Sequence, residues 1–237
     1  MRRTRIGLSA MLLSMILSEV ISLSSLVPTG GRLTSENIAS PFSIATILVS
    51  LLEPVALILE IIAIVLIASD SKRSTGASIH RRLTFTAGAF FIVWAAFNFG
   101  VYLPLSLLGM KTGSLQLVKL ALAIKAAAAL FQYSIPFLLV YGIVRNGKTR
   151  LALWVALIAI IVGGLGVVAT PIASVRLEPV VVSNNRLYVP KYEVDYTSWP
   201  YPAFLVLSYP GGILYMLVYA ITITKLRSAS NLNTNAG

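Results

Sequence analysis

Apolar residues run almost unbroken through six stretches of the chain, 6–27, 42–69, 83–110, 115–144, 151–170 and 203–224. A helix crosses the hydrocarbon core of a bilayer with about 20 apolar residues, so each stretch predicts one transmembrane helix. The second, third and fourth are longer than a crossing needs and are expected to tilt or kink. Most polar connections are short, which makes neighbouring helices antiparallel. The exception is 174–202. There, 176–182 and 186–189 flank Ser183-Asn184-Asn185, a hairpin-like pattern. Tyr188, Tyr192, Tyr196, Trp199 and Tyr201 follow, among Pro190, Pro200 and Pro202. Aromatics at this position suit an interfacial belt, or a cap over an outer vestibule. The polar, Asn-rich residues 228–237 are expected to be disordered. The pattern therefore predicts an all-α integral membrane protein: a bundle of six transmembrane helices forming one domain over 1–227, with a short outer hairpin-like segment between the fifth and sixth.

The charges orient this bundle. Arg2, Arg3, Arg5, Lys72, Arg73, Arg81, Arg82, Arg145, Lys148, Arg150, Lys225 and Arg227 all fall on one side, twelve in number. Arg32, Lys111, Arg176, Arg186 and Lys191 make five on the other. Lysine and arginine are retained on the cytoplasmic side, so both termini are expected to be cytoplasmic, in the cell membrane. The arginines ahead of the first span resemble the start of a secretory signal. Glu19 interrupts that core and no good small-x-small cleavage site follows, so a retained helix is expected.

Composition agrees. Of 237 residues, 57% are hydrophobic and 11% charged. A soluble domain carries about a quarter charged residues, so this chain is short of the polar surface that water requires. The net charge of +11 invites a nucleic-acid reading. The basic residues sit in short loops beside apolar spans, as topology determinants do, and nucleic acid is not expected as a direct ligand.

Several chemistries fall away. There is no cysteine, hence no disulfide, thiolate ligand or iron–sulfur cluster. His80 is the single histidine, so a bis-histidine haem site and a zincin motif are impossible within the chain. No P-loop or dinucleotide fingerprint is present; Gly163-Gly164-Leu165-Gly166 is mid-span and follows no strand. No cofactor is implied, and an enzyme is the least expected class.

What remains is polarity inside the apolar stretches: Glu19, Glu53, Glu60, Lys119 and Lys125, with Asn98 and Gln132. A charge at the bilayer centre costs about 2.5–3.5 kcal/mol on the most lenient scale, so such residues normally face protein or a water-filled cavity. At about 1.5 Å per residue, Glu19, Glu53 and Asn98 come out roughly 3–5 Å to the outer side of mid-membrane and Lys125 about 7 Å. Glu60 lies in the inner half and shares a helix face with Glu53; Lys125 shares one with Gln132. Lys119 points elsewhere, near the outer interface. This predicts a polar layer of Glu19, Glu53, Asn98 and Lys125, with Lys125 paired to Glu53 or Glu19 and Glu60 continuing inward. Such a layer either fixes helix register or handles a substrate, ion or proton.

Helix breakers add to this picture. Pro54, Pro104 and Pro136 lie within spans, Gly163–Gly166 is expected to interrupt the fifth, and Pro210-Gly211-Gly212 is a candidate break in the sixth. Interrupted helices line transporter sites; small residues also serve close packing, and Ala96-x-x-x-Gly100 and Ala159-x-x-x-Gly163 fit that rule. Two functions follow as expectations. One is a transporter or channel-like protein moving a small solute, ion or proton past the Glu/Lys layer. The other is a non-catalytic subunit of a larger respiratory, secretion or DNA-translocation complex, with membrane-complex subunits or a homo-oligomer as partners besides the bilayer.

Overall fold

The computed structural model describes residues 2–24, 41–71, 78–144, 146–174, 176–180, 189–193 and 201–234. The described elements are α1 (Arg2–Ser24), α2 (Pro41–Ser71), α3 (Ser78–Phe97), a π-helical turn (Asn98–Tyr102), α4 (Leu103–Thr112), α5 (Leu115–Tyr141), α6 (Gly147–Ser174), β1 (Arg176–Val180), β2 (Val189–Glu193) and α7 (Tyr201–Thr234). Six helical segments are long and apolar enough to cross a membrane, with α3, the π turn and α4 together making the third.

The prolines within the spans are accommodated in two ways. Pro54, Pro136 and Pro210 sit inside continuous helices. Pro104 instead follows the π turn, where the Leu103 N–H donates to the Asn98 carbonyl five residues back. A proline ring collides with the carbonyl four residues before it, here that of Gly100. Widening the preceding turn moves that carbonyl aside. The α4–α5 corner is a Schellman cap: Gly113 takes φ 66° and the Ser114 N–H donates to the Gly109 carbonyl at 3.0 Å.

Three expectations change. The candidate break at Pro210-Gly211-Gly212 is not a break, because α7 runs through it. The glycine run at Gly163–Gly166 leaves α6 intact as well. Losing one proline N–H costs a single helical bond, and these glycines are used for close approach, as shown below. Finally, α7 continues to Thr234, so most of the tail expected to be disordered is helical; no proline or glycine stands between 213 and 234 to stop it. The hairpin-like segment is a two-stranded antiparallel ladder pairing Arg176 with Glu193 and Val180 with Val189, and β2 packs against α4. Its expected turn, Ser183-Asn184-Asn185, and Tyr188, Tyr196 and Trp199 lie outside the described residues.

Contacts gather the chain into two compact units. The first comprises 1–85, 138–152 and 212–237. Its centre is the antiparallel pair α1 and α2. Thr4, Leu8, Met11 and Ser14 recur at helical spacing as one buried stripe of α1. Gly7 lets α1 approach α2 until a Cβ would meet Ile67 at 2.7 Å and the Ala63 carbonyl at 3.0 Å. Polar clasps fix the register. The Thr4 N–H and hydroxyl both donate to the Asp70 carboxylate, at 3.1 and 2.6 Å, and the Ser14 hydroxyl donates to the Ala56 carbonyl at 2.8 Å. Nine of the twelve basic residues assigned to the cytoplasmic side belong to this unit; Lys72, Arg73 and Arg145 lie outside the described residues.

The second unit comprises 86–137 and 153–211. Rings and glycines hold it together. Phe90 meets Phe131 edge-on at 5.2 Å, and Phe137 meets Trp154 at 4.7 Å. On α6, Gly163 faces the Ser208 backbone, Gly164 the Tyr133 ring and Gly166 the Phe204 ring. Gly211 of α7 faces the Ala156 carbonyl and Ile160 in return. The small-residue rule therefore applies at Gly163, but nothing approaches Gly100 within 4 Å.

Candidate functional site

Glu60 is the most buried acidic residue among those described, with 5% of its surface exposed. It stands on the inward stripe of α2 between Ala56 and Ala63. Its Oε1 is fully enclosed and has no hydrogen-bond partner among the described residues. A buried carboxyl without a partner costs about 1–3 kcal/mol, so this position carries a load that packing alone does not explain.

The first unit surrounds it with one face of α7. Tyr219, 0% exposed, is in electrostatic contact with both Glu60 and Tyr215, which is 1% exposed. Residues 212, 215, 219, 222 and 226 repeat at three- and four-residue steps and so share one side of the helix. At one end of this file the Glu19 carboxylate lies against Gly212, occupying the space a Cβ would need. Gly212 is therefore a seat for that acid. At the other end, buried Thr222 lines a half-open cavity of about 280 Å³ with Val144, Asn146, Thr149, Lys225 and Leu226. Ten residues of α7 separate Gly212 from Thr222, about 15 Å of rise. Two carboxyls, two phenols and a hydroxyl thus follow one helix face to a groove with a lysine at its rim.

The other expected site residues are placed differently. Glu53 is exposed and makes no hydrogen bond or ion pair among the described residues. Lys125 is also exposed; its ammonium lies 5.2 Å from the Tyr102 ring centroid, a cation–π contact. Asn98 is half-buried and opens the π turn through its carbonyl, and Gln132 is half-buried on α5. Glu19 and Glu60 join the α7 file; Glu53 does not. The phenols and Thr222 went unread in the sequence because Tyr and Thr are common in membrane helices. The signal was their spacing, Tyr215, Tyr219 and Thr222, on the span that also carries Gly212.

Among the described residues no group of three or more acids or histidines is arranged to hold a metal ion. Comparison with known proteins returns no matching family model, no matching curated protein and no matching solved structure. The functional reading therefore rests on the chemistry of this file.

Proposed function

We propose that the chain is a multi-pass membrane transport protein that carries a proton, with Glu60 as the acceptor and the α7 groove as its access from the cytoplasmic side. The observation that carries this reading is the enclosed, unpartnered Glu60 Oε1 beside Tyr219. A small metal cation is normally held by six to eight oxygens in the calcium case, or by near-ideal octahedral geometry in the magnesium case. A single carboxyl among phenols suits the one cation that needs a single lone pair. Thr222 donates its hydroxyl hydrogen to the Val218 carbonyl at 2.7 Å and keeps its lone pairs to accept, while the Tyr219 and Tyr215 hydroxyls are of the kind that both accept and donate, which is what a relay between the groove, Glu60 and Glu19 requires. Ionisable residues inside membrane helices commonly form such relays.

The test is proton flux in vesicles holding a pH-sensitive dye and the purified full chain, driven by a pH step. Wild type is expected to collapse the gradient well above the rate of protein-free vesicles, Glu60→Gln to fall to that background, and Tyr219→Phe to fall between them. Wild-type flux at background, or Glu60→Gln flux equal to wild type, would overturn the proposal.

The same reading places both termini in the cytoplasm, supported by the twelve-to-five basic asymmetry. The cysteine-free chain makes this simple to check. In intact cells an impermeant thiol reagent is expected to label Ser183→Cys and to leave Ser228→Cys untouched until the membrane is opened. Labelling of Ser228→Cys in intact cells would reverse the orientation and turn the groove outward. The second reading, a subunit within an assembly, is favoured by the exposure of Glu53 and Lys125.

A further inference from the structure

Three aliphatic side chains of α7, Ile213, Leu217 and Ile221, are exposed by 52%, 53% and 44%, and Lys225 follows them, exposed as well. The four stand at four-residue steps and form one ridge of the helix. Twelve residues of rise carry that ridge about 18 Å. One leaflet is close to this depth, since the hydrocarbon core of a bilayer is about 30 Å thick. An aliphatic ridge that ends in an ammonium has the layout of a phospholipid, chain first and headgroup last.

The end of the ridge is also the rim of the groove. Ile221 and Lys225 line the half-open cavity of about 280 Å³ together with Val144, Asn146, Thr149 and Leu226. Pockets that enclose whole small molecules begin at about 300 Å³, so this one suits a phosphate and the first carbons of its chains. Arg150 is fixed beside it. Its Nε donates to the Val144 carbonyl at 2.8 Å, and its guanidinium carbon lies 5.2 Å from the Tyr141 ring centroid. The terminal nitrogens of that guanidinium make no hydrogen bond among the described residues, and the Lys225 ammonium makes none either. The surrounding charge has the sign an anion needs. The first unit carries nine described basic residues against four described acids, and of those acids only Asp70 lies within two residues of a helix end, where Thr4 already engages its carboxylate.

We propose that this groove seats the phosphate of one anionic phospholipid, held by Lys225 and Arg150, with an acyl chain laid along Ile221, Leu217 and Ile213. Guanidinium and ammonium groups pair with phosphate oxygens through charge-assisted hydrogen bonds, and basic pockets between transmembrane helices hold anionic headgroups in this way. A phosphate at the rim keeps its hydration, so the lipid leaves water at the mouth of the groove. The seat stands on the groove and the ridge and does not require proton carriage by Glu60.

The test uses the full chain with Leu217→Cys as its single cysteine, labelled with a bimane dye and placed in phosphatidylcholine vesicles. Lipids with brominated chains quench the dye when they lie along the ridge. Brominated phosphatidylglycerol is expected to quench at a mole fraction at least about tenfold lower than brominated phosphatidylcholine, with Lys225→Gln and Arg150→Gln each removing about fivefold of that preference, the scale of one basic residue near a charged lipid. Lys225→Arg should keep the preference. Lys148→Gln, in the first turn of α6 but outside the groove lining, should lower it far less. Each variant's response to brominated phosphatidylcholine should match wild type, which shows that it is folded. Equal quenching by the two lipids in wild type, or equal losses from Lys148→Gln and Lys225→Gln, would overturn the proposal. Loss of the preference on adding inorganic phosphate at matched ionic strength would also overturn it, by making the groove a site for a free anion. Glu60→Gln should retain the full preference, so failure of the lipid seat and failure of proton carriage are read separately.

Discussion

Gly163→Ala is expected to lower the melting temperature of the detergent-solubilised chain more than a methyl group added at any other glycine of the second unit. An added Cβ would lie 2.6 Å from the Ser208 amide nitrogen, 2.7 Å from its Cα and 2.8 Å from its Cβ. The first two are backbone atoms of α7, which cannot rotate away as a ring can. Relief requires the α6 and α7 axes to separate at that level, which also loosens Gly211 against Ala156 and Ile160. Overpacking of this kind costs about 1–3 kcal/mol. The same methyl at Gly164 or Gly166 presses on the rings of Tyr133 and Phe204, which can swing aside, so those losses should be smaller. Gly100→Ala is the control, because nothing lies within 4 Å of its Cβ position. A helix gains up to about 1 kcal/mol from Gly→Ala, so this variant should be neutral or slightly stabilised. Thermal unfolding followed by loss of the monodisperse chromatographic peak checks the order. Equal midpoints for Gly163→Ala and Gly100→Ala would show that α6 and α7 do not approach so closely.

The contrast between Gly163 and Gly100 shows where sequence reading reaches and where it stops. Both lie in the same small-x-x-x-small pattern, and only one is packed. The pattern reports that a backbone is able to approach, not that one does. Six helices long and apolar enough to span, and a hairpin between the last two, were legible because span length and turn residues are local properties. Helix continuity through Pro210-Gly211-Gly212 was not, since whether a weak spot breaks depends on the neighbouring helix, here the Ala156–Ile160 turn that grips Gly211. The same reason separates Glu19 from Glu53 within the first unit. Glu19, Glu53 and Lys125 were grouped by depth, which sequence supplies. Azimuth around each helix decides their fate: Glu19 turns to Gly212, while Glu53 and Lys125 turn to the exposed surface. Glu60 shares a face with Glu53 by the seven-residue count, yet one is buried and the other exposed. Seven residues of an ideal helix drift by about 20°, and the buried stripe through Ala56, Glu60 and Ala63 leaves position 53 at its edge.

Replacing Glu60 with methionine should make the chain more stable and unable to carry protons. Methionine fills a similar volume with flexible apolar atoms, so the space between Ala56, Ala63 and Tyr219 stays occupied. What disappears is an enclosed carboxyl oxygen without a hydrogen-bond partner. Burying such a group costs about 1–3 kcal/mol, and that penalty is recovered as a higher melting temperature in detergent. Proton flux should fall to the level of protein-free vesicles, since no group at this depth remains to accept a proton. A residue kept for packing behaves in the opposite way: its loss lowers stability and leaves flux, if any, proportional to the folded fraction. Measuring both quantities on the same preparation therefore separates the two roles. A Glu60→Met chain that melts lower than wild type would mean that the carboxyl is held by groups that reward it, and Glu60 would then be a fastener between α2 and α7. A chain that melts higher and still conducts would keep the energetic argument and move the acceptor elsewhere on the file, to Glu19 at Gly212, where Glu19→Gln becomes the decisive variant.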